Sequence, residues 1–220
     1  MILECPAAGS HLARADEPQS GETERQLDRF NAITKELKAL GIEPEVRHLA
    51  NSAGTFWHPD THLDMVRPGI ALYGISPEPA IATAAELGLE PVMTLSSTVV
   101  AAREAEPGTG VSYGHTEKTS GSVMLGTVPL GYADGIPRSA SSRGPVRVAG
   151  VPSRIIGRIC MDQVVIELPE GTGVGDEVIF YGAGGPTVDE WAEAAGTIGY
   201  EITTRLGRHV PRSYRARLRH

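Results

Sequence analysis

Two neighbouring segments combine residue types that could hold an anionic cofactor. The first runs from His48 to Gly54 and the second from Asp64 to Gly74. Together they supply small residues, a loop of the size that fits a phosphate group, and one arginine, Arg67, at the expected ends of strands. The pattern predicts a cofactor-binding site. An ordinary small-residue turn, and a surface ion pair between Arg67 and Asp64, are the alternatives.

No lysine of this sequence is suited to bind a cofactor covalently at this site. The chain contains three of them, Lys35, Lys38 and Lys118. The first two fall on a predicted, solvated helix and the third falls in a predicted turn, and neither setting suits a buried Schiff base. We expect a lysine that binds the cofactor to lie outside this sequence.

Composition limits the classes of partner. The 220 residues are 40% hydrophobic and carry a formal charge of −7, with no basic cluster before the tail that starts at Arg212. A nucleic-acid surface needs positive charge, so we expect a small-molecule partner and no nucleic acid. Two cysteines cannot form a disulfide framework, no apolar run approaches the roughly 18 residues of a membrane span, and the first residues lack a signal-peptide pattern. We expect a cytoplasmic protein with no membrane contact and no metal site, and a solvated tail.

The first third of the chain alternates strand and helix. Thr23 and Gln26 predict a capping box at the start of a helix that Gly41 ends. The segments 45–50 and 69–73 are strand-like. This order favours parallel strands joined by a crossover helix, with functional groups at the carboxyl ends of the strands. The stretch is too short for a closed eight-stranded barrel, which needs about 250 residues.

From about Glu90 the pattern changes to short strands rich in valine and isoleucine, separated by glycines. The predicted strands are 93–100, 123–128, 146–149, 155–159, 164–168 and 176–180. Thr187 and Glu190 predict a second capping box, Gly196 ends the helix that it opens, and a last short helix is expected over 200–206. We predict two domains: a barrel remnant over residues 1–88 and a β domain over residues 89–220.

Motifs spread over nearly the whole chain resemble alanine racemase. They are His48–Gly54, Val66–Ile70 with Leu72–Gly74, Gly110–Gly114, Pro129–Gly135, Gly157–Gln163, Tyr200–Ile202 and Arg208–Arg212. The resemblance implies a pyridoxal phosphate enzyme and covers only the second half of the family's chain, from near its sixth barrel strand. The expected fold class is therefore α/β plus all-β, with the last strands of a (β/α)8 barrel followed by an alanine racemase-type β domain.

The resemblance assigns three residues to the ring of pyridoxal 5′-phosphate. Arg67 would face the pyridine nitrogen. Because a guanidinium keeps its protons, Arg67 would donate to this nitrogen without protonating it, and the weaker electron sink that results suits racemisation. His48 would steady the arginine and His11 would line the cofactor face. For each histidine, a satisfied core position is the alternative.

The same resemblance assigns a phosphate cup. Ser52 and the backbone amides of Gly69 and Ile70 would hold the phosphate, because backbone donors and hydroxyls satisfy a dianion without a lysine or a metal. The hydroxyl of Tyr200 would complete this set.

Tyr113 is the catalytic residue that the resemblance implies. It would exchange the α-proton on the L-alanine side, while the Schiff-base lysine does so on the opposite face. A free phenol titrates near 10, so the site must favour the phenolate. Met161 would hold the substrate carboxylate through its backbone amide, and Tyr132 would narrow the substrate entrance. All three would act on the cofactor of the other subunit, which implies a homodimer; a packed aromatic at 113 and a core methionine at 161 are the alternatives.

The sequence also lacks features that the family has. The segment with the Schiff-base lysine is missing, as is the arginine that meets the cofactor's phenolic oxygen, and Cys5–Ala8 lacks the apolar pattern of a barrel strand. We expect a fragment, inactive by itself, of an alanine racemase that interconverts L-alanine and D-alanine and supplies D-alanine for cell-wall peptidoglycan. A broader amino-acid racemase, or a non-catalytic β domain that complements a separate barrel half, are the alternatives.

Overall fold

The computed structural model describes residues 5–215, which divide into two compact units on either side of the Glu90–Pro91 bond. The last residues of the predicted solvated tail, 216–220, lie outside the described part. The exact boundary that the sequence suggests, between residues 88 and 89, stays a prediction. Within the described residues, no helix combines the length and the apolar character needed to cross a membrane.

The first unit contains a parallel strand pair with a crossover helix. Strand β1 is Ala7–Gly9, helix α1 is Glu22–Ala39 and strand β2 is Val46–His48. The two strands pair in parallel, which places Gly9 opposite His48 at their carboxyl ends. Helix α2, Ser52–Trp57, follows β2, and short 3-10 helices follow at Pro59–Thr61 and Ile70–Tyr73. The predicted parallel order is confirmed.

The start of α1 differs from the prediction. The residue before the helix is Gly21, in the left-handed conformation and without a side-chain cap. Thr23 lies inside the helix, where its buried Oγ1 has no hydrogen-bond partner. Gln26 bonds instead with the backbone of the loop after β1, at Ala13 N and His11 O. The predicted capping box at Thr23 is therefore wrong, because Thr23 lies inside the helix and Gln26 bonds to the loop after β1.

One further prediction for this unit, the strand at residues 69–73, is wrong. Residues 70–73 form a 3-10 helix and not a strand, since the backbone turns at Gly69. Ala7 and Ala8 belong to β1 although they lack an apolar strand pattern, because pairing with β2 decides their conformation. A hydrophobic cluster in the core of this unit contains Leu12, Ala15, Phe30, Leu49 and Ala53.

The second unit is mostly β-structure. Its strands are β3 Leu95–Thr98, β4 Ala101–Ala105, β5 Gly110–Val111, β6 Glu117–Lys118, β7 Val123–Val128, β8 Pro145–Val148, β9 Val151–Arg154, β10 Val164–Glu167 and β11 Glu177–Tyr181. One sheet has the order β10-β7-β4 and another has the order β3-β11-β8-β9, while β5 and β6 form a separate hairpin. Five of the predicted strands overlap observed ones. The predicted strand 155–159 is wrong: only an isolated bridge joins Ile155 to Ile166, and the strand at this place is the preceding β9.

Two helices close the second unit. Helix α3, Val188–Ala195, begins with a capping box in which Thr187 and Glu190 each bind the other's backbone amide, and it ends at Gly196 in the left-handed conformation. Both features were predicted. Trp191 of this helix is fully buried and its indole N–H donates to the carbonyl of Phe180 in β11, so the helix is fixed on the sheet. Helix α4 spans Gly199–Thr204.

Candidate functional site

In the first unit, the carboxyl ends of β1 and β2 bring Gly9 and His48 into contact. A Cβ atom at position 9 would lie 2.0 Å from Cε1 of His48, so glycine is the residue that leaves room for the imidazole ring. Nδ1 of the same ring is hydrogen-bonded to Nη1 of Arg67. The two strand ends therefore fix the side chain that touches the arginine.

Arg67 is held further by backbone oxygens. Its Nη2 donates to the carbonyl of Ser10 at 2.7 Å and to the carbonyl of Leu49 at 3.3 Å. The alternative in which Arg67 pairs with Asp64 is wrong, because Asp64 accepts hydrogen bonds from Arg47, with Nε at 2.9 Å. These bonds with Arg47 lower the pKa of the Asp64 carboxyl. Arg67 thus has no carboxylate partner among the described residues, and its position is set by neutral acceptors.

The predicted phosphate cup lies where two short helices start. Ser52, the first residue of α2, is buried, and the side chain of the preceding Asn51 accepts a hydrogen bond from the Gly54 amide. The Ser52 hydroxyl accepts a hydrogen bond from the amide of Ala71 at 3.4 Å. The sequence therefore folds so that Ser52 faces the start of the 3-10 helix at residues 70–73, one residue from Ile70.

The chemistry of this donor set suits a phosphate. A Cβ built on Gly69 would meet no atom within 4 Å, so the space beside this residue is open, and the amides of Gly69 and Ile70 donate to no described residue. A serine hydroxyl and backbone N–H groups can satisfy a dianion, and the guanidinium of Arg67 can donate to a pyridine nitrogen. The residues present fit pyridoxal phosphate; their roles stay predictions.

His11 and the lysines are all on the surface. The His11 side chain is exposed, and its carbonyl accepts from Gln26. Lys35, Lys38 and Lys118 are exposed, and Lys38 pairs with Glu43 at 2.8 Å. The solvated helix predicted for Lys35 and Lys38 is observed, whereas Lys118 lies in strand β6 and not in the predicted turn. None of the three has the buried environment that would favour covalent cofactor binding.

In the second unit, Tyr113 starts a turn between β5 and β6, with 69% of its surface exposed. The alternative of a packed aromatic side chain is therefore wrong. The residue before it, Ser112, has φ 57° and ψ −167°, and the residue after it, Gly114, has φ 72°. The hydroxyl of Ser112 donates to the carbonyl of Arg158 at 2.6 Å. Sequence reasoning missed Ser112, because nothing in the residue type signals this conformation.

Met161 and Tyr132 lie on two loops of the same unit that are joined by backbone hydrogen bonds. The Tyr132 amide donates to the Cys160 carbonyl at 3.0 Å, and the Ala133 amide donates to the Met161 carbonyl at 2.8 Å. A Cβ on Gly131 would lie 2.4 Å from the Met161 oxygen, so glycine permits this approach. The Met161 residue is 58% exposed, which overturns the alternative of a core methionine.

Asp134 ties the Tyr132 loop to the carboxyl-terminal segment. One of its oxygens accepts from the Gly131 amide at 2.7 Å and the other lies 2.7 Å from Nε2 of His209. The carbonyl of Asp134 accepts from the Gly207 amide at 2.8 Å. These contacts give Asp134 a structural role, and its link to His209 gave no sequence signal. Tyr200 lies in α4, in the second unit, and its part in a phosphate cup stays a prediction.

Glu117 fastens the Tyr113 hairpin to the loop at Gly157. Its carboxylate accepts from the Gly157 amide at 2.9 Å and from Arg154 at 2.7 Å. Burial opposes the charge of this carboxyl, but hydrogen bonds from Ser142, Gly157 and Arg154 outweigh it and lower the pKa of Glu117 below its ordinary value of 4.5. The carboxylate form therefore stabilises the folded hairpin.

The comparisons with known proteins agree with these two units. Residues 92–214 match the family model "Alanine racemase, C-terminal domain", and residues 3–77 match "Alanine racemase, N-terminal domain". The chain belongs to the alanine racemase family. The resemblance found in the sequence motifs is thereby confirmed.

Individual relatives support the same assignment. An alanine racemase of Streptomyces coelicolor is 50% identical over 97% of this chain and 56% of its own length, and one of Thermobifida fusca is 47% identical over 99% and 59%. The solved structure of the Streptomyces coelicolor enzyme matches with a TM-score of 0.93, at 50% identity, over 97% of this chain and 57% of that one. The alanine racemase of Clostridium difficile 630 in complex with cycloserine matches with a TM-score of 0.85, at 36% identity, over 95% and 55%. The fold class is confirmed, and the chain spans about half the length of the curated relatives it matches.

Proposed function

We propose that this chain supplies half of the active site of an alanine racemase that uses pyridoxal 5′-phosphate to interconvert L-alanine and D-alanine. The observation that carries the proposal is the guanidinium of Arg67, held by His48 and the carbonyl of Ser10 at the carboxyl ends of β1 and β2. Membership of the alanine racemase family supports the choice of reaction.

The first unit binds and orients the cofactor. Ser52 and the amides of Gly69 and Ile70 would hold the phosphate; the family resemblance adds the hydroxyl of Tyr200, a residue of the second unit. His11 lines the cofactor face. Arg67 would donate to the pyridine nitrogen and keep its own proton. When bound, pyridoxal phosphate supplies the electron-withdrawing ring that acidifies the α-proton of the amino acid.

The second unit handles the proton and the substrate. Tyr113 removes or delivers the α-proton on the L-alanine side as a general base or acid. The backbone amide of Met161 binds the substrate carboxylate, and Tyr132 narrows the entrance to small amino acids. By family resemblance these residues serve the cofactor of the partner subunit, so the active form is a homodimer in the cytoplasm that supplies D-alanine for peptidoglycan.

Inversion needs a second base on the opposite face, and the exposed lysines of this chain do not provide it. The 220-residue chain by itself is therefore inactive. Racemisation by the purified chain would overturn this statement.

The decisive experiment adds the part of the family's chain that this sequence does not match. The part of the Streptomyces coelicolor relative that this chain does not match is joined to the amino-terminal end of the chain, giving a fusion protein. Purified with pyridoxal phosphate, the fusion protein is expected to racemise L-alanine, measured by chiral chromatography. An inactive but folded, cofactor-loaded fusion protein would refute the proposed function. Serine and lysine as substrates test for a broader racemase.

A further inference from the structure

We infer that Ser112 is a positioning residue that fixes Tyr113 relative to the loop of Met161. The inference rests on the proposed function, since it concerns the residues proposed there as proton carrier and carboxylate binder. All the contacts involved lie within the second unit.

The first observation is the backbone of Ser112. Its φ of 57° with ψ of −167° lies in a region that is nearly exclusive to glycine. A serine persists in such a conformation only when its surroundings over-determine it. Because the next residue is Tyr113, this backbone conformation sets the direction in which the phenol leaves the chain.

The second observation is the contact that holds this conformation. The Ser112 hydroxyl donates to the Arg158 carbonyl at 2.6 Å and lies 3.3 Å from Sγ of Cys160. The neighbouring backbones are equally close: a Cβ on Gly157 would lie 2.7 Å from the carbonyl oxygen of Val111. The side chain of Val111, the residue before Ser112, is buried in a hydrophobic cluster, so packing also holds the hairpin next to the Ser112 hydrogen bond.

The third observation is what the Arg158–Cys160 segment carries. It leads directly into Met161, and its Cys160 carbonyl accepts the amide of Tyr132 at 3.0 Å. The hydroxyl of Ser112 thus links the residue next to Tyr113 to the segment that carries Met161 and binds the Tyr132 loop. This hydrogen bond therefore sets the distance between Tyr113, the proposed base, and Met161, the proposed carboxylate binder. Small displacements between a base and its bound substrate lower the rate strongly.

Activity of the fusion protein tests this role. Ser112→Ala is expected to lower kcat about tenfold to a hundredfold, with a smaller change in KM. Ser112→Gly, which relieves the backbone conformation and also removes the hydroxyl, is expected to be as slow as Ser112→Ala. Ser153→Ala is the matched control, because it also deletes a hydroxyl that donates to a carbonyl, that of Glu167, in the same unit. It should leave kcat unchanged.

Isotope effects separate positioning from general destabilisation. If Tyr113 is displaced, its proton transfer becomes more rate-limiting, so the primary deuterium isotope effect with α-deuterated L-alanine rises and that with α-deuterated D-alanine does not. A loss of folded enzyme would lower kcat and leave both isotope effects unchanged. That result, or wild-type kinetics of Ser112→Gly, would overturn the inference.

A readout without activity keeps this inference separate from the proposed function. In the 220-residue chain labelled with ¹³C at methionine methyls and tyrosine rings, Ser112→Ala is expected to shift the signals of Tyr113 and Met161. Met124 in β7 serves as the internal reference and should not shift. Unchanged signals at both residues would contradict the inference. An inactive fusion protein, by contrast, would refute the proposed function and leave this spectroscopic result to decide the role of Ser112.

Discussion

The imidazole of His48 accepts a hydrogen bond at Nδ1 from the guanidinium of Arg67. A guanidinium can only donate, so Nδ1 must carry the lone pair, and the proton of the neutral ring is on Nε2. Gly9 provides the space for this ring at the end of β1. The relationship makes His48 a support for the direction of Arg67.

Removing this support should weaken binding at the cofactor ring. In the fusion protein, His48→Ala is expected to lower the affinity for pyridoxine 5′-phosphate about tenfold, because Arg67 loses a fixed acceptor. Isothermal titration calorimetry measures this affinity, and the ligand has no aldehyde that could react with a lysine. Arg47→Ala is the control, since it removes an arginine of the same unit that pairs with Asp64. Equal losses in both variants would contradict the prediction.

Ser52→Ala should act on the phosphate alone. Loss of the hydroxyl is expected to weaken pyridoxine 5′-phosphate binding by about 1–2 kcal/mol, because a hydrogen bond to a charged group is lost. Binding of pyridoxine, which lacks the phosphate, should not change. The same loss for both ligands in calorimetry would show that Ser52 supports the fold of α2 and not the phosphate.

Tyr113→Phe should remove proton transfer on one face of the substrate and leave proton transfer on the opposite face. Racemisation by the fusion protein is expected to fall by about 10²–10⁴-fold, the usual contribution of a general base. Exchange of the α-proton of D-alanine with D₂O should persist, because it depends on the base on the other face. Proton NMR of the α-hydrogen follows both.

Tyr181→Phe is the control for this substitution. Burial raises the pKa of Tyr181 to about 12, despite the opposing charge of Arg212, so this phenol cannot act as a base near neutral pH. Normal racemisation by Tyr113→Phe would exclude Tyr113 as the base.

The lowered pKa of Glu117 predicts that the second unit loses folding stability in acid. Because the folded pKa is lower than the ordinary value of 4.5, its stabilisation is present above pH 4.5 and is lost as the pH falls from there through the folded pKa. Glu117→Gln should cost about 1–2 kcal/mol at pH 7 and should flatten the dependence of stability on pH in that interval. Urea unfolding at a series of pH values measures both effects. Glu170→Gln, an exposed position, is the matched charge control, and an equal loss of slope there would contradict the assignment.

The two predicted capping threonines should respond oppositely to valine. Thr23→Val removes a buried hydroxyl without a partner, so it should stabilise the first unit by about 1 kcal/mol. Thr187→Val removes a hydroxyl that caps α3, so it should destabilise the second unit by about 1 kcal/mol. Urea unfolding followed by the fluorescence of Trp57 and Trp191, one in each unit, measures the changes separately. A loss of stability in Thr23→Val would restore the capping role.

These two threonines show how far local pattern can predict structure. At Thr187 the capping box forms because both its partners lie within one turn, and the glycine at 196 ends the helix as expected. At Thr23 the same pattern fails, because Gln26 is drawn to the loop at residues 11–13 by tertiary contacts. Likewise, residues 69–73 are strand-like by composition, and residues 70–73 form a 3-10 helix in the structure.

The sequence by itself determined the family, the fold class and the kinds of donor available, because these depend on motif order and residue type. It also determined that Lys35 and Lys38 lie on a solvated helix. Only the tertiary structure decided that Asp64 pairs with Arg47 and not with Arg67, that Tyr113 and Met161 are exposed, and that Ser112 joins their loops. The bonds from Arg47 to Asp64 and from Ser112 to Arg158 join residues 17 and 46 positions apart. No local pattern encodes them, since they arise where strand ends and loops meet.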